Sequence, residues 1–223
     1  MRQQASTGSN FACLTILVGS ALLCGCAAQP AKVTGTWTGS APRNQPFTKV
    51  LVVAVGPEVN QRCAFERFMA SRLTTGATKG IASCGVVADK HQLTRESIEA
   101  AVAAQQADAV LATSLVSKAW DVEEGGSRDT RGSAGYKATD AGYATGYYGV
   151  YGVPVVYGEF QANAAAITMQ GEVQVTSKVF ETKGATVVYT LDTKVSKIES
   201  TDAGLAAITD AIAEKLRKEG ITR

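Results

Sequence analysis

At 223 residues, 45% hydrophobic and 19% charged, the chain is long enough to bury an independent core and reads as one domain with an extension. Its 22 Lys and Arg are spread among 20 Asp and Glu, leaving a formal charge of +2. That excess is too small to argue for a nucleic-acid or other polyanionic partner.

The N-terminus has the layout of an export signal. Arg2 supplies a positive start, residues 11–23 an apolar segment, and Ala21, Gly25 and Ala27 the small residues that let a peptidase approach the backbone. The segment is too short, and too interrupted by Thr15, Gly19 and Ser20, for an obvious membrane-spanning helix of roughly 20 mostly apolar residues. It closes on Leu23-Cys24-Gly25-Cys26, which resembles the lipobox of bacterial lipoproteins. The resemblance implies removal of residues 1–25, a diacylglyceryl thioether on Cys26 and a further acyl chain, such as palmitate, on its amine. Two or more chains give stable membrane attachment. Cys24 competes as acceptor, but Leu23 precedes it where a lipobox has Gly, Ala or Ser; a plain secretory signal is the other alternative. In the Gram-negative sorting pattern, Ala27 in place of an Asp implies the outer membrane.

Cleavage would leave 223 − 25 = 198 residues. Of the 5 cysteines, Cys13 and Cys24 would leave and Cys26 would take lipid, so Cys63 and Cys84 remain as one pair. An oxidising compartment permits a disulfide between them; two small buried thiols are the alternative.

Residues 26–46 read as a lipidated tether, rich in Gly, Ser, Thr, Pro and Asn, with room for a short strand around Val33 to Trp37. A folded domain follows over 47–219. Its first run, Lys49-Val50-Leu51-Val52-Val53-Ala54-Val55, is the β-branched pattern of a central strand covered on both faces, ended by Gly56 and Pro57. A helix capped by Asn60 is expected over 61–73. Phe65, Phe68, Met69 and Leu73 form its apolar stripe, with Arg62, Glu66 and Arg67 toward water. A shorter strand over 81–87 leads to a second helix, entered through Leu93-Thr94 with Ile98 as a hydrophobic staple, and then to a strand over 109–116. These elements predict β-α-β-α-β with right-handed crossovers.

Beyond them, segments 161–170, 173–180 and 186–195 are strand-like, with Gly171 and Gly184 as turns. Val173, Val175 and Val179 alternate with Glu172, Gln174, Thr176 and Lys178, which predicts one wet face. A last helix, capped by Ser200 or Asp202, carries Leu205, Ile208, Ile212 and Leu216 on one side. The expected fold is thus α/β (α+β): a single domain with a mixed β-sheet and helices packed mainly on one face, in the order β-α-β-α-β-(Gly/Tyr excursion)-β-β-β-α.

The excursion, residues 121–158, is charged and glycine-rich at first. It then repeats Gly-Tyr pairs with Tyr136, Tyr143, Tyr147, Tyr148, Tyr151 and Tyr157. A loose loop, a projecting hairpin and a tyrosine-based interaction surface all fit this composition; tyrosine supplies contact area at low entropy cost.

The order of lipobox, tether, the strand Lys49 to Val55, the helix around Phe65 to Leu73, Leu93 to Val102, Ala107-Asp108-Ala109-Val110-Leu111, excursion, amphipathic strands and terminal helix resembles small bacterial outer-membrane lipoproteins with a TolB N-terminal-like fold. That group includes components of curli and exopolysaccharide export and an activator of peptidoglycan synthases. The resemblance implies a periplasm-facing, non-catalytic role in envelope assembly, through an envelope protein or self-association, with no cofactor. The Gly/Tyr excursion departs from it, and the long pore-forming hairpins of the curli channel are missing. A glycan or small-ligand-binding lipoprotein using the tyrosines is the alternative function.

An enzyme finds little support. His91 is the sole histidine, and Asp121, Glu123, Glu124 and Asp129 do not follow the calcium-loop spacing, so no metal site is expected. Neither Gly-x-Gly-x-x-Gly after the first strand nor Gly-x-Ser-x-Gly occurs.

Overall fold

The computed structural model describes residues 31–39, 45–56, 58–87, 89, 93–123, 132–137 and 168–223. The elements are β1 (Lys32–Trp37), β2 (Lys49–Val55), α1 (Val59–Leu73), β3 (Lys79–Ala82) with a 3-10 turn at Ser83–Gly85, α2 (Arg95–Gln105), β4 (Ala109–Glu123), β5 (Gly132–Lys137), β6 (Thr168–Glu181), β7 (Thr186–Ile198) and α3 (Thr201–Lys218). They form one seven-stranded sheet in the order β1-β7-β6-β4-β2-β3, with β5 paired to the far part of β4.

Strand β2 lies between β3 and β4 and is parallel to both. The first crossover runs from β2 out to β3 and the second from β3 back past β2 to β4, in opposite directions, and right-handedness puts their helices on opposite faces. Accordingly α1, joined there by α3, packs on Val50, Val52 and Ala54, while Ile98 and Ala101 of α2 pack on Leu51 and Val53. The two longer helices share one face, as expected, and the unbroken apolar run of β2 serves both. Strands β4, β6, β7 and β1 each run antiparallel to their neighbour, and the wet face predicted for β6 is real: Glu172 pairs with Lys194 at 2.7 Å and Thr176 Oγ1 donates to Asp192 at 2.6 Å.

Several local expectations differ. Helix α1 begins at Val59 behind Glu58, so Asn60 is inside it. Strand β3 is short, and the chain turns at Ser83–Gly85 in a 3-10 helix whose Ser83 carbonyl accepts from Val86 and Val87 and whose Cys84 amide donates to Glu66 of α1. Gly171 does not turn the chain; it lies within β6, at a shift in the register with β7. Gly184 does form a turn, with φ +96°. Thr94 caps α2 in a reciprocal box with Ser97, and Ser200 caps α3 through the Ala203 N–H.

Asp108 explains the polar residue inside Ala107-Asp108-Ala109. Its Oδ2 accepts from the Thr48 amide at 2.8 Å and the Thr48 hydroxyl at 2.9 Å, and its Oδ1 from the Lys49 amide at 2.8 Å. The carboxylate thus fixes the start of β2 beside β4. Asp108→Ala should cost about 1–2 kcal/mol, since water reaches part of the site, and Asp108→Asn less. Thermal melting should read this as a fall of roughly 2–8 °C for Asp108→Ala.

Strand β1 is held at the opposite edge. Trp37 meets Tyr189 edge-on at 5.0 Å between ring centroids, and its indole N–H donates to Glu219 Oε2 at 3.2 Å. Gly35 is required here because a Cβ would occupy the place of the Tyr189 hydroxyl and ring edge. Gly35→Val is expected to destabilise by about 1–3 kcal/mol through overpacking. It should also speed protease cleavage next to β1, which limited proteolysis would detect.

Candidate functional site

The described surface has a cleft at the carboxyl end of β2 and over the middle of β4 and β6; the carboxyl end of a parallel strand is a position where ligands commonly bind. Its enclosed space is about 100 Å³. The floor is formed by Ala54, Thr113, Leu115, Val173 and Val175 on the sheet; the walls are the first turns of α1 and α3, with Phe65, Leu205 and Ile208. The strands alternate side chains, so the residues that form the core lower on this face line the cleft at its end. Thr113 and Ser177 satisfy each other below it, with their hydroxyls 2.8 Å apart. Glu58, Gln61, Arg62, Lys118 and Thr201 give the apolar interior a polar margin.

Beside the cleft is a buried acidic clamp. Glu66 is fully buried and accepts three short hydrogen bonds: from the Ala54 amide at 2.9 Å, the Ser83 hydroxyl at 2.8 Å and the Cys84 amide at 2.7 Å. Arg62 Nε approaches it at 4.0 Å. Burial pushes the Glu66 carboxyl above its ordinary value of 4.5, outweighing the backbone donors of Ala54 and Cys84, the Ser83 hydroxyl and the Arg62 charge, all of which favour the ionised form. Cys63 and Cys84 are joined in a disulfide at a Cα–Cα distance of 5.6 Å. Carboxylate and disulfide therefore tie α1 to the same turn and set the cleft wall.

Glu66 and Arg62 were expected to face water, but both are buried, whereas Phe68 of the expected apolar stripe is 38% exposed. The backbone donors at Ala54 and Cys84 make the difference, because they supply a polar seat that hydrophobic periodicity does not register. The usable signal was Cys63: residues three apart share a helix face, so a disulfide at Cys63 turns Glu66 inward with it.

A second polar cluster ties α3 to the β1 edge. Lys215 Nζ donates to Glu219 Oε1 at 2.8 Å. That bond, with the Trp37 indole, holds the Glu219 carboxyl below its usual range, while burial raises the neighbouring Tyr189 phenol. These groups are locked to one another. Among the described residues, no group of three or more His, Cys, Asp and Glu is placed to hold a metal, and no helix is long and apolar enough to cross a membrane.

Of the tyrosines, Tyr136 has its backbone on β5 opposite Lys118. Tyr143, Tyr147, Tyr148, Tyr151 and Tyr157 lie outside the described residues, as do Cys26, His91, Glu124 and Asp129. Asp121 and Glu123 are on β4.

No family model matches the chain, and no curated protein matches it. Among solved structures it is distantly similar to two crystal forms of the PelC dodecamer from Paraburkholderia phytofirmans. A variant PelC in space group C2 is 15% identical with a TM-score of 0.44, and PelC in space group P6 is 13% identical with a TM-score of 0.43; each likeness covers 86% of this chain and 99% of the other.

Proposed function

We propose that the chain is a non-catalytic lipoprotein of the bacterial envelope, anchored through Cys26, that serves assembly as a protein-protein adaptor. The observation that carries this reading is the arm formed by β4 and β6. Beyond Lys118 and Val173, which still line the cleft, the two strands stay paired to Glu123 and Thr168, five residues or about 17 Å, and β5 pairs on β4 there. Such an arm, leading into the Gly/Tyr excursion, offers a surface outside the two-faced core of the domain. The Cys63–Cys84 disulfide agrees with an oxidising compartment.

The test is capture of the protein from native membranes, with mass determination of the intact complex and of Cys26, beside a chain whose residues 121–158 are replaced by a short turn. A defined homo-oligomer or stoichiometric partner lost with the replacement supports the adaptor reading. A monomer in both forms overturns it, and an unmodified Cys26 removes the anchor.

A further inference from the structure

We infer that the outer edge of β1 is an interface with a second copy of this chain, the two β1 strands pairing antiparallel about Gly35 so that the two sheets become one. Among the described residues no strand pairs with that edge. The Thr38 amide donates to the Val188 carbonyl at 3.0 Å, and the register continues without a shift to Lys32 and Lys194. Alternate residues of an antiparallel strand point their backbone groups the same way. Thr34 and Thr36 therefore bond toward β7, while Val33, Gly35 and Trp37 turn their N–H and C=O groups outward. Proteins blunt such edges with proline, bulges, charges or very short strands. The opposite edge, β3, is treated in this way: it has 4 residues and bends into the 3-10 turn. Strand β1 has no proline and no bulge, and Lys32 at its start is its sole charge.

A twofold axis through Gly35 makes this edge self-complementary. Gly35 faces its own copy and Val33 faces Trp37 of the second copy, so every outward backbone group of these residues finds a partner. On the core side, Val33 and Trp37 are only half-buried; each gains the other as a cross-strand neighbour, a β-branched residue against an aromatic one. On the wet side, Thr34 meets Thr36 and Lys32 meets Thr38, so no like charges oppose one another. Helix α3 lies over β7 and β1, which sets its copy about 10–14 Å away, no closer than packed helices stand. An unrelated extended peptide would satisfy the backbone groups alone; the Val33–Trp37 match and the absence of opposed charge favour a second copy. This interface rests on neither the proposed anchor nor the β4–β6 arm.

The experiment uses the full chain extracted from native membranes in mild detergent, with Thr34→Cys in one tagged form and Thr36→Cys in another. Co-expressed, the two should cross-link through a disulfide on mild oxidation, because opposite residues of a non-hydrogen-bonded pair stand about 4.5 Å apart between Cα atoms. Either form alone should not, since its own cysteines are diagonal neighbours about 8 Å apart. Sedimentation then compares charge variants at these exposed positions. Thr34→Lys with Thr36→Lys opposes like charges and should weaken the dimer about tenfold. Thr34→Lys with Thr36→Glu sets opposite charges face to face and should restore it. Near-ultraviolet circular dichroism verifies that each variant is folded. A monomer at every concentration, a cross-link only to a different protein, or a dimer indifferent to both charge variants overturns the interface. Replacing residues 121–158 by a short turn should leave the dimer intact. A dimer lost with that segment overturns the β1 interface while supporting the adaptor reading; a dimer kept, with no other partner lost, supports the β1 interface and sinks the adaptor reading of the arm.

Discussion

Glu66→Ala is expected to destabilise the protein by about 3–5 kcal/mol, because it strands buried donors at Ala54, Ser83 and Cys84 that together cost more than the removed carboxylate's own desolvation returns. In thermal melting this corresponds to a fall on the order of 10 °C. Glu66→Gln should cost less, since one carbonyl oxygen still accepts. It carries a second signature in pH. The folded protein holds the Glu66 proton more tightly than the unfolded chain does, the folded value being raised above 4.5 by burial. Its contribution is therefore fully present below the unfolded value and is lost as pH rises through the folded one. Urea unfolding at a series of pH values should show wild-type stability declining across that window. If Glu66→Gln shows the same decline there, another group is responsible.

Removing the disulfide is the second large effect. The bridge joins positions 21 apart in sequence, and loop-closure entropy puts its contribution at about 3 kcal/mol. Cys63→Ala with Cys84→Ala, or reduction of the native protein, should lower the unfolding free energy by that amount. Glu66 accepts the Cys84 amide, so the two features share a partner and their losses should not add. A triple variant as unstable as the sum of its parts would show that they act independently.

The layers of this fold could be read from sequence where one physical demand dominated. The β2 run had to be covered twice, and it is; the alternation in β6 required one wet face, and Glu172, Thr176 and their β7 partners provide it. Failures came where a polar group outranked hydrophobic pattern. Glu66 looked like surface because a carboxylate's buried seat consists of backbone donors from distant segments. Gly171 looked like a turn because glycine also serves irregular pairing inside a strand. The disulfide was foreseen as a pairing, but the cleft was not: it arises from the end of β2, the middle of β4 and β6 and the first turns of two helices, and no stretch of sequence contains it.

The β1 edge has a mechanical consequence. Tension entering from the N-terminal side of Lys32 pulls along the axis of a strand whose six residues are all paired with β7. The ladder bonds are thus loaded together in shear instead of being opened one after another. At the far end, Trp37 is fastened to Glu219 and seated against Tyr189, so slippage must break the strand pairing and that fastening in the same event. The first strand of the domain can therefore carry load into the terminal helix.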